Sequence, residues 1–343
     1  MSDALLSTLA EALAELVTAV GTSDDEVLDP DTAVKWLEGT AATLSALPAA
    51  DRRALDGHFR AAALRRPEGP WRDDLLKVSE GFGLTEDTHA AACAALVERV
   101  GRFVATVRDA DPATPVPTCP GWTLAELTRH LGTGHRWAEH LVRTRATVRV
   151  PVRDVPLDLP QDQAAYPGWL AAGAEALAAT LRAADPDAPL WSPGPEPRAG
   201  HYPRHALFEA VVHLADAQIA LAGTADPIDP GTATEGIEHH LAALPYVPST
   251  AERIAHLDRD GDLLRLTARD TGTVWTLTLG GGGFTWRRGT EASAARTEPT
   301  ASVTGDSGDL LLLLHRRHAA DAPRFDRTGD VTLLDAWLTA TAL

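Results

Sequence analysis

One helical turn of the sequence carries a carboxylate and a histidine at the spacing that two ligands of one metal ion need. Glu209 and His213 stand four residues apart in the segment RHALFEAVVHLADA, so a helix would project both side chains from the same face. Such a pair alone is most often part of a solvated surface. The positions around it are apolar here, however, and a carboxylate packed among them needs a polar partner. The pattern therefore favours a packed site at this turn.

A third candidate ligand lies in an earlier helix. Thr123 is followed three residues later by Glu126, which is the signature of a capping box at a helix start. The helix that begins there places His130 on the side of its leucines, so we expect His130 to face the interior. Two histidines and one glutamate leave a tetrahedral cation with an open position, which is typical of catalytic zinc sites. We expect water or a thiolate to take that position.

Other residues are candidates around this ligand set. Asp216, three residues beyond the second histidine, and Arg204, five residues before the glutamate, are candidates either to orient the ligands or to meet an anionic substrate. His135, five residues beyond the first histidine, is expected near the mouth of the site as a contact for a cofactor. Cys119 lies in a proline-bounded loop with no evident base, so we do not expect it to act as a nucleophile.

The elements that must hold these residues are predicted to be helices. Apolar residues recur at helical spacing in four long segments between residues 88 and 222, which begin near Thr88, Thr123, Tyr166 and Pro203. Four helices of this length, joined by proline-rich connections, predict a bundle.

The character of the sequence changes after residue 227. A short helix is predicted around residues 234–244. Alternating apolar and polar runs then predict strands at 263–269, 273–279, 283–289 and 301–305. Two helical segments follow, at 309–317 and 331–340. The alternation of Val274, Thr276 and Thr278 with Trp275, Leu277 and Leu279 predicts a sheet with one buried face. This part is predicted to be a small α+β domain.

Residues 1–84 carry three apolar segments at helical spacing and no motif that suggests chemistry. We interpret them as a helical N-terminal module for packing or for a protein partner. A polar run with two glycines at residues 80–87 marks a boundary. The chain is thus predicted to be mainly α with an α+β C-terminal domain, divided into residues 1–84, 85–226 and 227–343.

Composition excludes several classes of protein. With 343 residues, 44% of them hydrophobic, the chain is long enough to bury more than one core. Its net charge of −17 would repel nucleic acid and anionic membranes, so we expect neither as a partner. Glu11 and Glu15 interrupt the first apolar stretch, which fits neither a signal peptide nor a membrane span. Only two cysteines occur; we expect a reducing cytoplasm, with Cys93 in a core.

Two segments together resemble a known family. VPTCPGWTLAELTRHLGTGHRWAEHLV and RHALFEAVVHLADA are similar to the mycothiol-dependent maleylpyruvate isomerase family, within the DinB-like metal-binding four-helix bundles. From IEHHLAAL through SVTGDSGDLLLLLHRR to GDVTLLDAWL, the sequence resembles that family's C-terminal domain, similar in shape to sterol-carrier folds. The resemblance covers about Thr88 to the end, and residues 1–84 lie outside it.

The resemblance implies a zinc ion, or another divalent metal, held by His130, Glu209 and His213. It also implies a low-molecular-weight thiol cofactor, mycothiol or a similar thiol, which would attack a small electrophilic substrate in an isomerisation or a transfer. In such enzymes an arginine that follows the DLLLLL helix often reaches the site, and Arg317 is the residue predicted to do so here, although Arg316 adjoins it.

The sequence departs from the family's pattern at three positions. The family commonly has an arginine after the position that matches Arg204, a histidine before the glutamate and an arginine after the second histidine. This sequence has His205, Phe208 and Leu214 there. Because two cationic charges are missing, we expect an electrophile less charged than the dianion maleylpyruvate.

Two other functions remain open from the residues alone. A hydrolase could use the same ligands with a metal-bound water and would need no thiol. A non-catalytic protein could retain the bundle and bind a partner through the N-terminal module. The function of such a protein would be unchanged if the candidate metal ligands were replaced.

Overall fold

The computed structural model describes residues 3–45, 47, 49–82, 84, 88–186, 188–195, 197–280, 282–290 and 297–342. In this part the chain is mainly helical with a five-stranded sheet near its C-terminal end, which confirms the predicted fold class. Two compact units are formed, Met1–Ala91 and Ala92–Leu343. The finer division into three domains stays a prediction, and residues 83 and 85–87 of the predicted boundary lie outside the described residues. No described helix is both long enough and apolar enough to cross a membrane.

The first unit is helical, as predicted. Its helices are α1 (Asp3–Gly21), α2 (Pro30–Ser45), α3 (Ala49–Leu64) and α4 (Pro70–Gly81). Phe59 of α3 and Leu75 of α4 are almost completely buried in a shared core with Ala14 of α1. The fourth helix was not predicted, because its sequence offers few apolar residues to define a helical face.

The second unit begins with four long helices that share one hydrophobic core. They are α5 (Thr88–Val107), α6 (Leu124–Thr144), α7 (Tyr166–Ala183) and α8 (His201–Ala222). The predicted capping box is confirmed: the Thr123 side chain accepts from the Glu126 backbone N–H, and the Glu126 carboxylate accepts from the Thr123 backbone N–H at 2.7 Å. The last helix begins two residues before the predicted Pro203. Cys93 is fully buried in this core, as expected.

Helix α8 is buried on nearly all sides, which is the pattern of a central helix. Ala210 and Leu214 belong to the bundle core, whereas Val211 belongs to the core of the α+β part. Leu207 packs against both cores. Side chains on α8 are therefore positioned from two directions at once.

The α+β part follows α8. Its elements are α9 (Pro230–Ala243), α10 (Pro248–Ala255), β1 (Leu263–Ala268), β2 (Thr273–Gly280), β3 (Gly283–Thr290), β4 (Ala301–Gly305), α11 (Ser307–Leu314), β5 (Asp326–Gly329) and α12 (Val331–Ala340). The strand order is β3-β2-β1-β4-β5, with β1 and β4 parallel and the other pairs antiparallel. Helices α9, α11 and α12 share one core with inward residues of the sheet.

Three features of this part differ from the prediction. Helix α10 and strand β5 were not predicted, since β5 is short, polar and mostly exposed. The expectation of one buried face is wrong for β2, where Val274 and Thr276 are buried as well as the opposite face. Thr276 pairs with Arg265 on one side and Arg287 on the other, and long flanking side chains of this kind cover a small residue between them.

Gly132 on α6 tests the packing that places this helix against α7. An alanine Cβ at this position would lie 2.1 Å from Cζ3 of Trp169, so we expect Gly132→Ala to overpack the contact and lower the free energy of unfolding by about 1–3 kcal/mol. Gly134 is the control on the same helix, because its added Cβ would have no atom within 4 Å. There, alanine should stabilise the helix by up to about 1 kcal/mol. Urea denaturation measures the free energy of unfolding of both variants. An equal change in the two would contradict the close contact between Gly132 and Trp169.

Candidate metal centre

The structure brings together the three residues predicted as metal ligands. His130 lies on α6, and Glu209 and His213 lie one turn apart on α8. Nε2 of His130 is 3.4 Å from Oε2 of Glu209, and Nε2 of His213 is 3.5 Å from the same oxygen. The ligand atoms of all three lie within 4.8 Å of one another.

These distances fit a divalent cation. Ligands about 2.0–2.1 Å from a tetrahedral zinc ion lie about 3.3–3.4 Å from one another. The observed 3.4 and 3.5 Å are close to that spacing and longer than most hydrogen bonds between nitrogen and oxygen. Two imidazoles and one carboxylate are also the protein ligands of several open zinc sites. The residues present can therefore hold the metal that the sequence predicts, and their role as ligands stays a proposal.

His130 occupies an exposed edge of the centre. Its side chain is 45% exposed, so the expectation that it faces the interior is wrong. The buried face of α6 is formed by its leucines, and His130 lies at the border of that face, with its ring 5.0 Å from the ring of Trp122. Solvent, or a ligand from solvent, therefore has access to one side of the centre.

Asp216 lies directly behind His213. It is completely buried, and its Oδ2 is 2.8 Å from Nδ1 of His213. A carboxylate in this place holds the ring with Nδ1 protonated and leaves Nε2, the atom near Glu209, available as a ligand. Asp216 thus lies where it can orient His213, which is one of the two roles predicted for it.

Arg317 reaches the same carboxylate from the segment after α11. Its Nε donates to Oδ1 of Asp216 at 2.9 Å and its Nη2 to Oδ2 at 2.8 Å, and Nη1 donates to the backbone oxygen of His315. Burial raises the pKa of Asp216, but the hydrogen bonds from His213 and Arg317 outweigh burial and hold the pKa well below its usual range. The guanidinium is engaged by Asp216, so Arg317 positions that carboxylate. A direct catalytic role for Arg317 stays a prediction.

A comparison with protein families identifies the region that carries this centre. Residues 93–218 match the profile of the mycothiol maleylpyruvate isomerase N-terminal domain. This segment, which is less than half of the chain, is similar to that domain. The match runs from α5 to α8 and contains all three candidate ligands, which confirms the resemblance seen in the sequence. A search of curated proteins finds no match to the chain.

Cys119, which lies in the matched segment, is also at the candidate centre. Pro120 and Gly121 form a turn in which the backbone oxygen of Cys119 accepts from Trp122 N–H at 3.0 Å, with Gly121 at φ 84°, as a type II turn requires. Sγ of Cys119 is 3.4 Å from Oδ2 of Asp216.

The expectation that Cys119 has no base nearby is therefore wrong. The ligand atoms of Cys119, His213 and Asp216 lie within 4.8 Å of one another, and Nη2 of Arg317 is 3.3 Å from Sγ. The proline and glycine after the cysteine are the signal in the sequence that a tight turn aims this side chain. Its neighbours come from residues about a hundred or more positions away, which no local pattern reveals.

Two further predicted residues lie elsewhere. His135 is 2% exposed and neither of its ring nitrogens has a partner among the described residues, so its expected place at the mouth of the site is wrong. Five residues after His130, it lies about 140° further around α6, on the buried side. Arg204 pairs with Glu235 of α9 at 3.3 Å, away from the three candidate ligands. Their roles toward cofactor and substrate stay predictions.

The charges of the candidate ligands are strongly coupled. Burial opposes ionisation of Glu209, but hydrogen bonds with His130 and His213 outweigh it and hold the pKa of Glu209 well below its usual range. Burial likewise lowers the pKa of His213, but hydrogen bonds with Asp216, Cys119 and Glu209 raise it well above its usual value. Glu209 is thus ionised beside His213, and a cation that binds His213 must displace the proton that the raised pKa favours.

Buried histidines lie beyond the centre. The rings of His240 on α9 and His315 after α11 are 4.3 Å apart. Burial lowers the pKa of His240 to about 4, as it does for His135, and lowers the pKa of His315 well below its usual value. These imidazoles are therefore neutral at pH 7.

Breaking the buried ion pair tests its structural importance. We expect Arg317→Ala to lower the free energy of unfolding by about 3–5 kcal/mol, because it leaves the Asp216 carboxylate buried without its guanidinium. Arg316 is the control. Among the described residues it donates to the backbone oxygen of Leu338 and to the Thr339 hydroxyl near the surface, and its replacement should cost about 1 kcal/mol or less. Chemical denaturation of both variants gives the comparison. A similarly small loss of unfolding free energy in both variants would show that the Asp216–Arg317 pair contributes little to stability.

The buried histidines predict a pH dependence of stability. An unfolded histidine takes up its proton below about pH 6.5, whereas folded His135 and His240, with pKa near 4, stay neutral until the pH is much lower. The unfolded state therefore binds more protons between pH 6.5 and 4, and the free energy of unfolding should fall across this window as the pH falls.

Denaturation of the metal-free protein at several pH values measures this loss. His240→Gln should reduce it, while replacement of the exposed His256 by glutamine should leave it unchanged. A stability that rises toward pH 4, or a loss that His240→Gln does not alter, would contradict the assignment.

Proposed function

We propose that this protein is a metal-dependent enzyme that activates a low-molecular-weight thiol, mycothiol or a similar one, for transfer to or isomerisation of a small electrophile. The observation that carries the proposal is the ligand spacing of 3.4 and 3.5 Å among His130, Glu209 and His213 at an edge open to solvent. The thiol is supported by the matched family, whose name includes mycothiol.

His130, Glu209 and His213 would hold the cation, with zinc the metal that best suits this set. A bound divalent cation lowers the pKa of a thiol that it contacts and so supplies a thiolate nucleophile at neutral pH. The exposed side of His130 provides the approach for the thiol. Glu209 contributes a negative charge that compensates part of the charge of the cation.

Neighbouring residues keep this arrangement in place. Asp216 holds the ring of His213 through its 2.8 Å contact with Nδ1, and Arg317 and the Thr118 hydroxyl hold Asp216 in turn. The half-buried ring of Trp122 lies against His130 and His213 and excludes water from that side. A centre whose ligands are held in this way loses little entropy when it binds its ion.

The charges around the centre favour an electrophile that carries little negative charge. The two arginines predicted to meet a substrate are both neutralised, Arg204 by Glu235 and Arg317 by Asp216. The positions where the family commonly has further basic residues hold Phe208 and Leu214, both of them buried. We therefore propose a neutral or singly charged substrate.

Metal content tests the ligands. We expect His130→Ala and Glu209→Ala each to contain about one equivalent of zinc less than the wild type, because two remaining ligands form an incomplete shell. His140→Ala, ten residues along α6 and outside the centre, should keep the wild-type content. Elemental analysis of the purified proteins gives the result, and retention of the metal in both ligand variants would contradict this centre.

Turnover then tests the thiol. Consumption of a neutral epoxide or activated alkene should require both the thiol and the metal, and should fall to background in the two ligand variants. Asp216→Asn should keep the fold and weaken metal binding by about 10–100-fold. Substrate turnover that needs the metal but no thiol would instead support a hydrolase on the same ligands.

A further inference from the structure

The ligand-bearing face of α8 continues beyond the candidate centre. His201, His205, Glu209 and His213 recur every fourth residue, so they form one stripe along the helix. The half of the stripe with Glu209 and His213 is completed by His130 of α6. The other half meets His239 of α9, whose ring lies 5.6 Å from each of the rings of His201 and His205.

The geometry of this second group resembles that of the first. Nδ1 of His205 is 3.4 Å from Nε2 of His239, the same separation as between His130 and Glu209. This is again close to the edge of a tetrahedron of zinc ligands. The ring of His201 stacks on the ring of His205 at 5.2 Å, so the third imidazole adjoins the pair.

The environment of His201 points to a missing partner. The residue is 6% exposed, and its Nε2 is buried without a hydrogen-bond partner among the described residues, a state that is costly for a polar atom. Gly194 leaves the room that this ring fills, since a Cβ there would lie 2.8 Å from Cε1 of His201. Burial lowers the pKa of all three imidazoles, that of His201 to about 3, so they present the neutral form that binds metals.

We propose that His201, His205 and His239 form a second cation site, distinct from the centre at His130, Glu209 and His213. Three imidazoles suit zinc and neighbouring transition metals, whereas magnesium and calcium prefer oxygen ligands. Such a cation would tie α8 of the bundle to α9 of the α+β part. Glu209, one turn beyond His205, supplies the nearest negative charge on the stripe, and Arg204 is already paired with Glu235.

Binding requires a small adjustment of His201. Among the described residues, two groups have three ligand atoms within 4.8 Å of one another, and both contain His213. The ligand atoms of the second site are spread further apart than those of these two groups. Because His201 is buried and its ring is stacked on that of His205, binding at all three residues requires this ring to turn toward the His205–His239 pair.

Cobalt binding to the full chain tests the second site. Equilibrium dialysis against Co²⁺, with elemental analysis and visible absorption spectra, should give two equivalents for the wild type and one for His130→Ala, and the remaining equivalent in that variant should be tetrahedral. His239→Gln should also bind one equivalent, with the other weakened at least tenfold. His256→Gln, at an exposed histidine of the same unit, should bind two.

The combination His130→Ala and His239→Gln should bind none. Circular dichroism and thermal denaturation check the fold of each variant. If His239→Gln does not fold, His201→Gln at the start of α8 replaces it in the test of the second site. A wild type that saturates at one equivalent, with that equivalent lost in His130→Ala, would overturn the proposal. Two bound equivalents in folded His239→Gln would also overturn it. So would a loss of bound metal in His256→Gln equal to the loss in His239→Gln. Because the equivalent that remains in His130→Ala is measured without turnover, this result is independent of the enzymatic function.

Discussion

The buried ion pair between Asp216 and Arg317 is the interaction on which the rest of the second unit depends. Asp216 is completely inaccessible to solvent, and its two oxygens contact His213, Thr118, Cys119 and both arms of the guanidinium. Desolvation of such a carboxylate is compensated only while these groups stay in place. The pair therefore connects α8, the loop before α6 and the segment after α11, and through His213 it contributes to the geometry of the candidate metal centre.

Helix α8 places this chemistry where two hydrophobic cores meet. Its small residues face the bundle, whereas Val211 faces the sheet and its helices. A helix packed on both sides has little freedom to shift or rotate. Ligands that recur every fourth residue along it are thus held at constant spacing. This explains how one helix can present both the centre with Glu209 and the proposed site with His205.

The candidate centre has an ionised carboxylate, Glu209, and burial keeps His240 and His315 uncharged. Arg204 and Arg317 are both paired with acidic residues. Paired in this way, the two arginines offer little attraction to an anionic substrate. The departures of the sequence from the family pattern and the pairing of both arginines point in the same direction, toward a thiol reaction with an electrophile of low charge.

Local patterns in the sequence by themselves determined ten of the twelve described α-helices, four of the five strands, the cap at Thr123 and the i,i+4 spacing of Glu209 and His213. These features depend on residues a few positions apart, and hydrophobic periodicity and capping chemistry report them directly. Only the tertiary structure decided that His130 is exposed, that His135 is buried, and that Cys119 and Arg317 meet at Asp216. The meeting of Cys119 and Arg317 at Asp216 depends on contacts between segments about a hundred or more residues apart along the chain. The exposure of the two histidines depends on how the helices pack. A single sequence contains no local signal for either.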